Sequence, residues 1–404
     1  MATEIHRKST DENGSLRDGW RRVAFGDVVR DINASEKSPL DAGLSRYIGL
    51  EHIEPNNLHI GAWGDLAEDE VSFTKTFREG QVLFGKRRAY QRKVAVAEFD
   101  GICSSDILTF ESKTDQLAQT LLPFIVQSSR FFDHALDTSS GSLSPRTRWS
   151  QLKTFQFALP PAEQQERIAD VLWAADTAEV EYQKCSARID ELREVLLDDI
   201  VSNHLSQFPS RPVGETLDSD RRLCYGVIQP GKVTDTGVPF IRVCDMETGS
   251  ITVEQLERVS DEVHEKYRRS VIQSGDVLVS VVGTIGRCLV VPDACNGFNI
   301  ARAVARLSPS CEVDSFYLRS VLLSKQMQER LVGGSVETAR KTLNLKALGE
   351  LVIPVPPIAT QRSSMLPIAK LESSRHQFEL HAEQIRELRA QLVDQLVSGD
   401  WPDV

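Results

Sequence analysis

Lys86, Arg87, Arg88, Arg92 and Lys93 place five positive charges in eight residues, with Tyr90 among them. A hairpin of that composition can lie on phosphates or enter a groove, where an arginine forks onto guanine. The plainer reading is a solvated edge kept from aggregating by its charge. Arg146 and Arg148 follow the small-residue loop Ser139-Ser140-Gly141-Ser142 and can clamp a phosphate. Thr284, Arg287, Arg340 and Lys341 hold the corresponding places later in the chain. Gly283 and Gly286 imitate a phosphate cradle, but one G-x-x-G is better read as a turn or a close backbone contact. Residues for catalysis are not evident. There is no G-x-x-x-x-G-K-[ST] loop, no Asn-Pro-Pro-aromatic motif and no glycine-rich cofactor loop. Asp106 and Asp276 stand as isolated carboxylates suited to turns or caps. The seven cysteines and eight histidines show no metal-ligand spacing, and His376 and His381 read as helix-surface residues. The expectation is a binding protein with no metal and no reaction of its own.

The elements that must hold these residues are announced by a repeat. Leu159-Pro160-Pro161 with Gln165 recurs as Val355-Pro356-Pro357 with Gln361, an offset of 361 − 165 = 196, and Ile189-Asp190-Glu191-Leu192-Arg193 recurs as Ile385-Arg386-Glu387-Leu388-Arg389. After each Pro-Pro pair, which ends the preceding segment, the pattern is that of a long helix. Ile168, Val171, Ala175, Tyr182, Ile189, Leu192 and Leu196 in the first copy form an a/d seam, matched by Leu371, Phe378, Ile385, Leu388 and Leu392 in the second. Pro367 predicts a late start or a bend in the second helix. About 40 residues at 1.5 Å each give a rod of roughly 60 Å. One such rod exposes a stripe that two rods in one chain can bury against each other.

The chain of 404 residues, 41% hydrophobic and 26% charged, has the composition of a globular protein of two or three domains without a membrane-length apolar run. The cysteines read as reduced thiols of a cytoplasmic protein. The net charge of −11 argues against a polyanionic partner until it is located. Residues 163–203 carry eleven acids and four bases, or −7; residues 359–404 carry seven and five, or −2. Subtracting −9 from −11 leaves −2 for the rest, where local basic patches can act.

Taken in order, residues 1–19 read as a disordered tail, 20–158 as a mixed α/β domain, 159–204 as the first helix, 205–354 as a second such domain and 355–404 as the second helix. Strands are predicted at Arg46–Leu50, Gly80–Gly85, Val94–Ala97 and Ile107–Phe110. A helix interrupted at Pro123 is predicted over Leu117–Leu136. Pro239–Val243, Gly275–Ser280, Gly286–Val290 and Phe316–Leu331 repeat the plan, as does the loop Gly333-Gly334-Ser335. The fold class is α+β: two mixed domains separated by a long antiparallel helical coiled coil, with a pseudo-twofold internal repeat. The helical copies agree closely and the domains only in outline, as expected if each reads something different.

On the duplicated helix entries, on Lys86 through Lys93 followed by Asp100-Gly101-Ile102-Cys103-Ser104-Ser105-Asp106, and on Gly283-Thr284-Ile285-Gly286-Arg287, nearly the whole chain resembles the DNA-specificity subunits of Type I restriction–modification systems. Ala89 departs from the family, which often has proline there. The resemblance implies two target recognition domains, each reading half of a split sequence in double-stranded DNA, with the helices setting the gap. It implies two methyltransferase (modification) subunits as partners and restriction/translocase subunits beside them. S-adenosylmethionine, ATP and Mg would belong to those partners, with no cofactor in this chain. The acidic helix faces would help dock the partners. The competing reading is a non-DNA adaptor with two protein-binding modules on a coiled-coil spacer.

Overall fold

The computed structural model describes residues 16–113, 116–139, 145–232, 234–246, 251–334 and 341–402. Residues 1–15 of the expected tail, the loop positions 140–142, Ser335 and Arg340 lie outside them. The chain divides into two compact units. Unit 1 comprises Met1–Gln183 with Leu380–Val404, and unit 2 comprises Lys184–Glu379. The two long helices, Ala162–Gln207 and Ile358–Ser398, each contribute one half to each unit.

In unit 1 the apolar strands Val82–Gly85 and Ile107–Ser112 lie at the centre of a four-stranded sheet, flanked by Val94–Val96 and Val29–Asp31. A second sheet holds Gly64–Asp65, Arg46–Ile48, Gly101–Cys103 and Lys75–Phe77, with Arg46–Ile48 and Gly101–Cys103 parallel. Unit 2 repeats the first sheet in the same order: Cys224–Tyr225, Val304–Leu307, Val277–Ser280 and Cys288–Val290. Its smaller sheet again contains a parallel pair, Val238–Ile241 with Asn299–Ile300. The expected interruption at Pro123 falls elsewhere. Pro123 sits in the first turn of Leu122–Gln127, where its missing N–H costs nothing, and the break comes at Ser128, whose hydroxyl caps Ser129–Asp137. Unit 2 breaks the same helix pair at Ser324, between Ser315–Leu323 and Lys325–Gly333.

The second long helix starts at Ile358 and is continuous through Pro367. Pro367 is exposed, so the carbonyl its ring displaces can turn to water and the helix is not broken there. Several predicted seam residues do not face inward. Val171, Leu192 and Leu388 are 44%, 54% and 54% exposed, whereas Ile168, Leu172, Leu197 and Val201 are buried. Buried positions run from Gln165 through Leu172, Asp176 and Leu197 to His204, the middle three lying one residue past the predicted Val171, Ala175 and Leu196. Ala175, Tyr182, Ile189, Leu196, Leu371, Phe378, Ile385 and Leu392 are partly buried.

Within each unit the helix halves run antiparallel and are pinned to the domain in two equivalent ways. The helix-entry glutamine is the first. Gln165 donates to the carbonyls of Gln116 (3.0 Å) and Pro160 (2.9 Å) and accepts from the amide of Ala118 (2.7 Å). Gln361 makes the same three bonds in unit 2, to Glu312 and Pro356 (2.8 Å each) and from Asp314 (2.9 Å). Both side chains are buried, so each amide satisfies its own polar atoms on three main-chain groups, of which the Pro160 and Pro356 carbonyl bonds are fully enclosed. The second pin is a carboxylate. Asp176 takes Arg389 of the second helix and His59 Nε2 of the domain (2.8 Å). Its repeat equivalent Glu372 takes Arg193 (3.7 Å) and Arg319 of the second domain (2.8 Å).

Substitution Gln361→Leu is expected to cost about 1–3 kcal/mol, the range for orphaning buried polar groups, read as a lower urea midpoint for unit 2; an unchanged midpoint would contradict the latch. The Asp176 pin also responds to pH. The hydrogen bond that His59 donates to Asp176 holds the His59 pKa above the ordinary value against the opposing effect of burial, and a further bond to Glu98 adds to it. The contribution is therefore complete below about pH 6.5 and lost as pH climbs through the raised folded-state value. The urea-midpoint advantage of the native chain over His59→Gln should shrink between mildly acidic and alkaline pH, and a pH-independent difference would refute this.

Candidate nucleic-acid interface

The basic run of unit 1 links strands Val82–Gly85 and Val94–Val96 through a short turn, Ala89–Gln91. Arg88 and Arg92, on either side of the turn, have left-handed backbones with φ of 55° and 52°. Their equivalents in unit 2 are Gly283 and Gly286, with φ of 79° and 93°. The two loops share a backbone path, supplied by glycine in one and held against its usual preference in the other. Open space surrounds the missing Cβ of Gly283, so only its backbone calls for glycine there. At Gly286 a Cβ would also meet Gln328 at 2.2 Å, which supports the turn and close-contact reading of that residue.

Arg92 explains how unit 1 holds this path without glycine. Its guanidinium bonds Asn56 Oδ1 (3.0 Å) and the Gln127 carbonyl (2.9 Å), and lies 4.7 Å from the Phe132 ring centre. Lys93 turns its ammonium to the Leu50 carbonyl at 2.5 Å. These two predicted contact residues brace the loop from beneath. Arg88 and Tyr90 are exposed at its surface, with Lys86 and Arg87 partly exposed.

The loop and the segment before Trp149 come together as a main-chain bridge. The amide of Arg88 donates to Pro145 (2.9 Å), and that of Thr147 donates to Lys86 (3.0 Å). Asp106 is no isolated carboxylate; it lies 3.5 Å from Arg87 and 3.3 Å from Arg146 and holds both arginines beside the bridge. Arg148 is exposed just beyond. Unit 2 repeats the bridge, Gly283 to Lys341 (3.1 Å) and Leu343 to Val281 (2.8 Å), which exposes Thr284 and Lys341 on one side. Arg287 turns back to bond the Val243 carbonyl at 3.1 Å.

Unit 2 also holds a groove of about 980 Å³ that the basic-run reading missed, whose wall includes Tyr225 and Leu345, the Leu345 amide donating to the Tyr225 hydroxyl at 3.1 Å. Its lining includes Arg221, Arg222, Lys266, Arg268, Arg269 and Arg306 against one acid, Asp220, with Tyr225, Tyr267 and Leu345 among the apolar surfaces. Two of its arginines are fastened inside. Arg221 forks onto the buried Asp276 at 2.8 and 2.7 Å, and Asp276 also accepts from Ser308 (2.7 Å) and the Gln273 amide (2.7 Å). Asp276 is thus the hub of the wall rather than an isolated cap. Arg306 donates to the carbonyls of Arg269, Val271 and Arg222. Arg222, Lys266, Arg268 and Arg269 are exposed. The run Lys266-Tyr267-Arg268-Arg269 has the basic-aromatic composition that singled out the first loop, and it was the available clue. In unit 1 a cavity of about 610 Å³ is lined by Asp41, Asp69 and Glu70 and by no base, so it offers phosphates nothing.

All seven cysteines are unpaired, and burial pushes the thiols of Cys103 and Cys288 up to about 12, so both remain protonated. Among the described residues no helix is long and apolar enough to cross a membrane.

Comparison with known proteins agrees with this geometry. The Type I restriction enzyme EcoBI specificity subunit of Escherichia coli is 33% identical over 400 residues, covering 88% of this chain and 80% of that protein. The EcoDI specificity subunit from the same organism is 30% identical over 188 residues, 45% of this chain and 41% of its own. Among solved structures, a chain described for complex assembly and conformational transition of the type I R-M system superposes with a TM-score of 0.60 at 20% identity, covering 96% of this chain and all of that one. The type I S subunit from M. genitalium gives 0.56 at 14% identity, covering 98% of this chain and 99% of its own. The adaptor reading finds no support among them. The family profile described as the Type I restriction modification DNA specificity domain matches residues 18–192 and 228–387, and the chain belongs to that family of specificity subunits.

Proposed function

We propose that this specificity subunit binds double-stranded DNA with both units, each reading one half of a bipartite target. The observation that carries the reading is the basic groove of unit 2, which pairs a charged lining with aromatic surface. Exposed arginines and lysine would meet the phosphates there, while the fastened Arg221 and Arg306 keep the wall from rearranging. In unit 1 the corresponding contacts come from Arg87, Arg88, Tyr90, Arg146 and Arg148, with Arg92 and Lys93 supporting them. In unit 2 Thr284 and Lys341 are exposed beside the bridge, and Arg287 and Arg340 remain candidates. Direct base readout would fall to those side chains that enter a groove.

The chain is proposed to be non-catalytic. Methylation would reside in two modification subunits carrying S-adenosylmethionine, and cleavage in ATP- and Mg-dependent restriction/translocase subunits. The long helices would set the distance between half-sites and offer docking surface. Adding whole turns to both helices should then change the unread gap while leaving the half-sites the same.

Lys266→Glu with Arg268→Glu and Arg269→Glu should weaken DNA binding by at least tenfold at moderate salt and flatten the salt slope by about three. Modification by the complex should change at one half-site only; equal loss at both would refute the assignment of one half to each unit. Arg88→Gly should leave folding intact, because Gly283 already serves that position in unit 2. Arg92→Ala should instead cost about 1–3 kcal/mol of unit 1 stability through its lost hydrogen bonds and ring contact. A thermal-melt comparison separates the two, and equal melting temperatures would show that Arg92 is no brace.

A further inference from the structure

The helix pairing contains a charge pattern that the repeat did not preserve. In unit 1, Asp176 and Glu179 of the first helix face Arg386 and Arg389 of the second. Glu179 bonds Arg386 at 2.7 Å and Arg389 at 2.9 Å, and Arg389 also bonds Asp176. In unit 2, Asp190 and Arg193 of the first helix face Glu372 and Arg375 of the second. Arg193 is 3.7 Å from Glu372, and Arg375 is 3.8 Å from Asp190. Adding 196 relates the two layers: Asp176 to Glu372, Glu179 to Arg375, Asp190 to Arg386 and Arg193 to Arg389. The first and last of these keep their sign, while the middle two reverse it.

A duplicated helix faces a choice that a unique one does not. By geometry alone the first copy could pair with the second copy or with another first copy from a second chain. The charges distinguish these outcomes. First-with-second pairing makes both layers neutral, two acids against two bases. First-with-first pairing would set Asp176 and Glu179 against Asp190 and Arg193, three acids and one base, a net −2 in each layer. Second-with-second pairing would set Glu372 and Arg375 against Arg386 and Arg389, a net +2. Asp176, Glu179 and Arg389 are all at least nine-tenths buried, so the imbalance would fall where solvent screens it poorly.

We infer that the reversed pair, Glu179 with Arg386 in unit 1 and Asp190 with Arg375 in unit 2, makes each helix copy select the other copy and reject itself. The partner that this surface fits is the second repeat of the same subunit, and the one it excludes is a second copy of the first repeat. Polar residues on a helix seam choose partners in this way by penalising the alternatives.

The test removes selection while keeping both cross-helix pairs opposite in charge, and it gives up two contacts within the helices, Arg375 to Glu379 (2.7 Å) and Asp190 to Arg193 (3.6 Å). Asp190→Arg with Arg375→Glu restores an opposite-charge pair in unit 2, and it also makes Glu179 attractive to residue 190 and residue 375 attractive to Arg386. All pairings then become electrostatically allowed. A protease-cleavable linker placed between Phe208 and Pro209 of the full chain allows both halves to be unfolded together, refolded at equal concentration and counted by native mass spectrometry. The native sequence should give the first-with-second complex at least tenfold over both homodimers, and the double variant should approach the statistical 1:2:1 mixture. Uncut, the double variant should melt above the single Asp190→Arg variant, in which residue 190 and Arg375 repel. Homodimers already abundant in the native sequence would overturn the inference, as would undiminished selection in the double variant.

Discussion

Each unit depends on a carboxylate that two partners share. Asp176 and Glu372 occupy equivalent helical positions, and each is gripped on one side by an arginine of the facing helix and on the other by a base of the domain. The buried Asp176 tolerates little misplacement, because a lost partner leaves it without water as a replacement, whereas Glu372 is partly exposed. The domain is therefore held against both helix halves at one electrostatic point, and the buried glutamine holds it at a second. Apolar packing supplies most of the stabilisation, as Leu172 and Leu396 in unit 1 and Val201 and Ile368 in unit 2 indicate. The polar contacts set the register.

The two candidate interfaces show how related frames diverge. Strand order and the bridge beside the loop are the same in both units, and left-handed residues stand at the same places. What differs is which side chains use that frame. In unit 1 a cluster of bases surrounds the bridge, whereas in unit 2 the charge lies in a groove built on Asp276. A polyanion reader needs a rigid base and adaptable tips, and both units separate these roles. Arg92, Arg221 and Arg306 are engaged in internal bonds, while Arg88, Arg222 and Arg269 reach outward.

Among the arginines, composition was a poor guide to role. Arg92 lies in the densest basic run of the chain, yet it serves the fold by bonding Asn56 and Gln127. Arg222 and Arg269, which belong to shorter runs, line the larger groove. Whether a guanidinium is available depends on what lies within a few ångströms of it, and sequence neighbours seldom tell. The same limit applies to Asp106 and Asp276, whose partners stand 40 and 55 residues away.

The sequence by itself determined the duplicated architecture, the two long helices and part of the strand plan, because periodicity, Pro-Pro punctuation and an exact repeat offset are local quantities. It also located the loops that each unit brings beside a bridge. It did not show Gly101–Cys103 or the central strand Val304–Leu307. Tertiary structure alone decided which face of each helix is buried: Leu172 and Leu197, each one residue past a predicted seam position, are the side chains that the domain and the facing helix cover. It also decided which basic residues brace and which are exposed, and that the groove of unit 2 exists. Those outcomes depend on contacts between distant segments, where burial and charge are settled by neighbours the chain acquires only on folding.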